Sequence, residues 1–96
     1  MTNSDRLLDA FSAIEHSLRT MTDEDKRTPF YILAERAAKV HPVARRYLND
    51  LKEFADLRNA IVHERTDEHV IAEPNDRAVR EIEHILGAFQ IGGKTG

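Results

Sequence analysis

Asp50-Leu51-Lys52-Glu53-Phe54-Ala55-Asp56-Leu57-Arg58-Asn59-Ala60-Ile61-Val62-His63 is the stretch on which the fold turns. On a helical wheel at about 100° per residue with Phe54 at the origin, Leu51, Leu57 and Ile61 fall within about 60°. Val43 and Tyr47, further upstream, join the same arc. Arg58 also lies inside it, near 40° by the same count. A cation there must pair, snorkel or face a cavity, because an unpaired buried charge is costly. Asn59 and His63 project near 140° and 180°, one turn apart and adjacent. Leu48, Ala55 and Val62 fill the sector between Asn59 and the core stripe, so the apolar surface is wider than one bundle core needs. Two readings stay open at this point. Either the helix contacts two neighbours, with Arg58 bonded to an acid such as Asp56 or Asp9, or its second surface meets a partner subunit with the polar residues at the seam.

Outward from this stretch the chain reads as helices. Leu7, Phe11, Ile14 and Leu18 recur at helical spacing, which predicts an amphipathic helix over residues 5–20. The charged run Thr22–Arg27 reads as a solvated connection. Thr28-Pro29 predicts a helix start, with Thr28 as N-cap and Pro29 in the first turn. Its expected buried stripe is Phe30, Leu33, Ala37 and Val40. His41-Pro42 ends that helix, since the residue before proline is driven out of helical geometry. The third helix is expected from about Pro42 to residue 64. Thr66 to Pro74 lacks a helical period, with Val70-Ile71-Ala72 as a candidate extended piece. Asn75 can cap a fourth helix that buries Ala78, Ile82, Ile85 and Phe89, runs to about Ile91 and stops at Gly92-Gly93. The expected fold class is all-α, an up-and-down four-helix bundle. Residues 1–91 form its single domain, and residues 92–96 form a glycine-rich tail or linker.

Composition narrows the function. Ninety-six residues suffice for one domain. With no tryptophan and six aromatic residues, its core must rest on aliphatic side chains. A core that small makes stabilisation by self-association reasonable, so a homodimer is expected. The absence of cysteine excludes disulfides, thiolate catalysis and zinc–thiolate sites. No apolar run approaches the roughly 20 residues needed to span a bilayer, so no membrane partner is expected. The polar, acidic start Met1–Asp5 is unlike a signal peptide, which leads to the expectation of a cytoplasmic protein. A net charge of −3 gives no overall attraction to phosphate. Residues 35–65, however, carry seven basic against five acidic side chains, between two acidic flanks.

Two motifs mislead. Gly93-Lys94-Thr95 resembles the end of a phosphate-binding loop, but position 88 is Ala rather than Gly, and neither the required strand nor the following helix is expected. His63-Glu64 resembles a zinc helix, yet the second ligand position is Asp67, and His16, His41, His69 and His84 show no ligand spacing. No metal and no cofactor are expected.

The segment Arg58-Asn59-Ala60-Ile61-Val62-His63 resembles the signature of the HEPN superfamily: an Arg, a polar residue, three mostly apolar positions and a His. The preceding Asp50–Leu57 and the passage Ala37–Pro42 also resemble that family, and the similarity covers roughly residues 28–91. The resemblance implies a HEPN-like bundle that dimerises so that two motifs converge. It implies a metal-independent endoribonuclease whose catalytic residues are Arg58, Asn59 and His63. His63 would move protons to or from ribose oxygens, as imidazole can near neutral pH. Arg58 would hold the phosphate oxygens with its planar fork, and Asn59 would orient either. RNA would be cleaved to a 2′,3′-cyclic phosphate and a 5′-hydroxyl, in a toxin–antitoxin or defence setting. The alternative is a non-catalytic HEPN module that dimerises or binds nucleotides within a larger regulatory protein. The expected partners are accordingly RNA, a second copy, and an antitoxin or fused regulatory domain. One departure matters: toxin relatives carry a Tyr two positions after the His, where this chain has Arg65.

Overall fold

The computed structural model describes residues 2–66 and 73–95, and the side chains of 2–63 and 73–91. Among them the chain forms five α-helices and no strand: α1 (Asn3–Thr22), α2 (Phe30–Val40), α3 (Pro42–Arg46), α4 (Leu48–Thr66) and α5 (Asp76–Thr95). The all-α class therefore holds, with five helices in place of the expected four. The candidate extended piece Val70-Ile71-Ala72 lies outside the described residues.

Each boundary has a local cause. The Thr2 hydroxyl accepts from the Asp5 amide and caps α1, whose four expected apolar residues Leu7, Phe11, Ile14 and Leu18 are all buried. The helix ends at Asp23, which takes the left-handed conformation (φ 56°, ψ 35°) and donates its N–H to the Arg19 carbonyl. Aspartate tolerates that region better than most residues.

Thr28 does not cap α2. Pro29 is the capping residue, with no side-chain capping bond, and the Thr28 hydroxyl instead donates to Glu24 at 2.8 Å. The α2 stripe also sits differently from expectation: Leu33, Ala34, Ala37 and Ala38 are buried, whereas Val40 is 69% exposed. Val40 is the last residue before the His41-Pro42 turn, where the chain leaves the core.

The expected single helix after Pro42 is two. Its first turns form α3, and Tyr47 (φ −103°, ψ 13°) breaks the helical path before α4 begins. The His41 Nδ1 accepts from the Val43 amide, capping α3. Arg45 turns back to donate to the Ala38 and Lys39 carbonyls, orphan acceptors at the end of α2. The corner is thus closed from both sides.

Asn75 caps α5 as expected, accepting from the Ala78 amide at 2.8 Å. Val79, Ile82, Ile85 and Phe89 are buried, and Ala78 is partly covered. Gly92 and Gly93 do not stop α5, which continues to Thr95. Glycine costs a helix about 1 kcal/mol at an interior position without forbidding it.

α1 packs against α5, α2 and α4, and one core joins all five helices. α4 supplies Leu51, Phe54, Ala55 and Ile61 to that core. Its apolar residues are spread around the helix, leaving Val62 38% exposed beside Asn59 and His63. Among the described residues no helix is long and apolar enough to cross a membrane.

Candidate functional site

The Arg58 side chain is half-buried, and its guanidinium lies over the Phe11 ring at 5.9 Å. It donates to the Asn59 Oδ1 at 2.9 Å. Asp56, one of the acids considered as its partner, is instead the acceptor for the Tyr31 hydroxyl. Arg58 therefore sets its guanidinium over a core aromatic ring and lines a cavity.

That cavity is a cleft of about 330 Å³ between α1, the α1–α2 loop, the start of α2, and α4. Arg58 and Asn59 line one side. Arg19, Lys26 and Arg27 line the other, and among the described residues Glu15 is the one carboxylate in the lining. Phe11 and Phe30, with ring centroids 4.6 Å apart, form its aromatic part, and Tyr31 stands at its edge, 39% exposed. Among the described residues four cations against one acid make this a positive pocket in a negatively charged protein. Its one carboxylate is already engaged, since Glu15 accepts from Arg19 at 2.7 Å.

The loop carrying Lys26 and Arg27 is tied down. Arg19 donates to the carbonyl oxygens of Asp25 and Thr28, bracketing the two cations. The Arg27 amide donates to the Asp25 carboxylate at 2.8 Å. Glu24 receives both the Thr28 hydroxyl and the Arg36 guanidinium. The Thr28 hydrogen bond, and then that from Arg36, hold the Glu24 carboxyl below the ordinary carboxylate range. This latch persists above that range and loosens as pH falls through the lowered value.

Tyr31 is held by a similar logic of opposite sign. Its hydroxyl donates to Asp56, and losing the proton would destroy that bond beside a carboxylate, so its ionisation is pushed above the usual tyrosine value of about 10. The bond's contribution is complete below the ordinary tyrosine value and disappears as pH rises through the elevated one. In a Tyr47→Phe background, where Tyr31 alone titrates, absorbance at alkaline pH should show late ionisation. Adding Asp56→Ala should bring it earlier. Coincident curves would mean that the Tyr31–Asp56 bond is not formed in solution.

Of the three residues singled out from the sequence, Arg58 and Asn59 line this cleft and His63 does not. His63 is exposed one turn beyond Asn59, about 6 Å along the α4 axis. The residues that sequence reasoning missed are Arg19, Lys26, Arg27 and Tyr31. A usable signal was present in Lys26-Arg27-Thr28-Pro29-Phe30-Tyr31, where a pair of cations precedes a pair of aromatic residues.

A second groove of about 350 Å³ runs between Tyr47, Asp50 and α5. There Asp50 and Glu81 offset Arg77 and Arg80, so it exerts little pull on an anion. Among the described residues no three His, Asp or Glu side chains are grouped to hold a metal ion. No protein-family model, curated protein or solved structure matches this chain.

Proposed function

We propose that the protein is a metal-independent endoribonuclease of the HEPN type, acting as a homodimer in which two copies of Arg58-Asn59-x-x-x-His63 converge on one phosphodiester. The observation that carries this reading is Arg58 itself. It is a half-buried guanidinium on an aromatic support, bonded to Asn59, at the rim of a cationic cleft. A fork of donors in that setting suits the charge that builds on phosphate oxygens during cleavage. The exposed His63 and Val62 on the next turn suit a seam with a second copy. One imidazole takes the 2′-hydroxyl proton as the 2′-oxygen bonds to phosphorus. The bond from phosphorus to the 5′-oxygen breaks, and the second copy's imidazole returns a proton to that oxygen.

The test is direct. Purified protein incubated with mixed cellular RNA in EDTA should release fragments ending in a 2′,3′-cyclic phosphate and beginning with a 5′-hydroxyl. Specific activity should fall on dilution below the dimer dissociation constant. RNA left intact at concentrations where the protein is dimeric would refute the assignment.

One observation favours a second reading. His63 lies off the cleft that Arg58 lines, which suits a HEPN module that dimerises or binds nucleotides without cutting RNA, joined to a regulatory domain. Under that reading the same assay finds no cleavage while self-association persists. A toxin with an antitoxin partner, by contrast, would arrest a bacterial host on expression, and His63→Ala would relieve the arrest.

A further inference from the structure

We infer that the cleft beside Arg58 is a subsite for one unpaired nucleotide flanking the scissile phosphate, with Lys26 and Arg27 holding its phosphate and Tyr31 its base. The inference deepens the ribonuclease reading and takes its placement next to the scissile bond from it.

Size comes first. About 330 Å³ lies at the lower end of small-ligand pockets. It admits one nucleotide and is far too small for a duplex. Charge comes second. Lys26 and Arg27 are exposed, project from a loop bracketed by Arg19, and face a cleft whose carboxylate is already paired. A phosphate entering there meets cations whose backbone is already positioned, so less ordering is needed on binding. Aromatic surface comes third. Phe11 is covered by Arg58, but the Tyr31 ring is accessible, and its bond to Asp56 holds it in place. A base stacks on such a ring without regard to its identity. Continuity comes last. Asn59 belongs to the cleft and is followed one helical turn later by His63, so a strand seated in the cleft leads along α4 toward the imidazole.

A base held in this way must be free of its pairing partner. The substrates this site selects are therefore loops, bulges and single strands, cut beside a nucleotide that enters the cleft. Lys26 and Arg27 are specificity and affinity residues here, and Tyr31 is the stacking residue.

The test uses the full chain carrying His63→Ala, so that the oligonucleotide survives, and a fluorescently labelled single-stranded RNA of ten nucleotides. The same sequence as a duplex and 5′-AMP alone serve as further arms. The single strand should bind at least tenfold more tightly than the duplex, and amide shifts should cluster at residues 26–31 and around Arg58. Lys26→Glu/Arg27→Glu should weaken binding at least tenfold. Their neutral counterpart, Lys26→Gln/Arg27→Gln, should lower the slope of log affinity against log salt by about 0.7 per cation removed. Tyr31→Ala should weaken binding about tenfold, and Tyr31→Phe, which keeps the ring, should restore most of the loss.

Equal affinity for duplex, or unchanged affinity in both the charge-reversal and Tyr31→Ala variants, would overturn the subsite. So would 5′-AMP binding as tightly as the oligonucleotide, because the site would then serve a free mononucleotide. The unmutated chain separates the two proposals. If it cleaves RNA with the same KM after Lys26→Glu/Arg27→Glu, the subsite fails and the ribonuclease stands. If it binds single strands through these residues but never cuts them, the ribonuclease fails and the nucleotide site stands.

Discussion

On the proposed ribonuclease reading, His63→Ala is expected to slow RNA cleavage by about 10²–10⁴-fold, the usual worth of a positioned proton carrier. Arg58→Ala should cost about 10²–10³-fold, as expected for losing donors to a developing oxyanion. His63 is exposed on α4, so its removal leaves the core packing intact, and the loss should appear in kcat with the folded state retained. Arg58 differs because its guanidinium also covers the Phe11 ring, a contact worth about 0.5–1 kcal/mol of stability. Arg58→Lys is therefore the informative companion. It keeps the charge and much of the covering stem but loses the planar fork, so most of the rate loss should persist while stability recovers. Single-turnover kinetics with a defined RNA, paired with thermal melts, reads both quantities. A His63→Ala enzyme as fast as the parent would remove the imidazole from the chemistry.

Leu51→Ala should destabilise the fold by about 3 kcal/mol, within the range for emptying a fully buried leucine site. A domain of this size has roughly 5–15 kcal/mol in all, so that single change takes a large share. At about 4–8 °C per kcal/mol the melting temperature should fall by roughly 12–24 °C. Val40→Ala is the matched control. Val40 was expected in the same core, but it is 69% exposed and its truncation should stay within about 0.5 kcal/mol. Comparable losses in the two variants, followed by chemical denaturation, would mean that the α2 face is not oriented as described.

Helix existence was legible from periodicity, because burying an apolar stripe at helical spacing requires a helix facing a core. Leu7, Phe11, Ile14 and Leu18 show this, as do Ile82, Ile85 and Phe89, and all are buried. Helix ends were less legible. Thr28 had the right chemistry for a cap, yet its hydroxyl found Glu24, a partner that exists only once α1 has ended at Asp23. Nor does local sequence announce the break at Tyr47, which is held by Arg45 reaching the carbonyls of Ala38 and Lys39 on another helix. Gly92 and Gly93 read as a stop, although nothing in glycine compels one.

The linear chain determined by itself that the protein is helical and that Arg58, Asn59 and His63 lie within two turns of one helix, since i to i+5 spacing is a property of the α-helix alone. Only the tertiary structure decided what surrounds Arg58. Lys26 and Arg27 sit about thirty positions away, in an acidic third of the chain that looked like a solvated connection. They reach the cleft because α1 packs on both α2 and α4, and because Arg19 ties the intervening loop to α1 through the Asp25 and Thr28 carbonyls. Local spacing carries no information about which helices meet, and a cationic cleft in an acidic chain arises from that meeting.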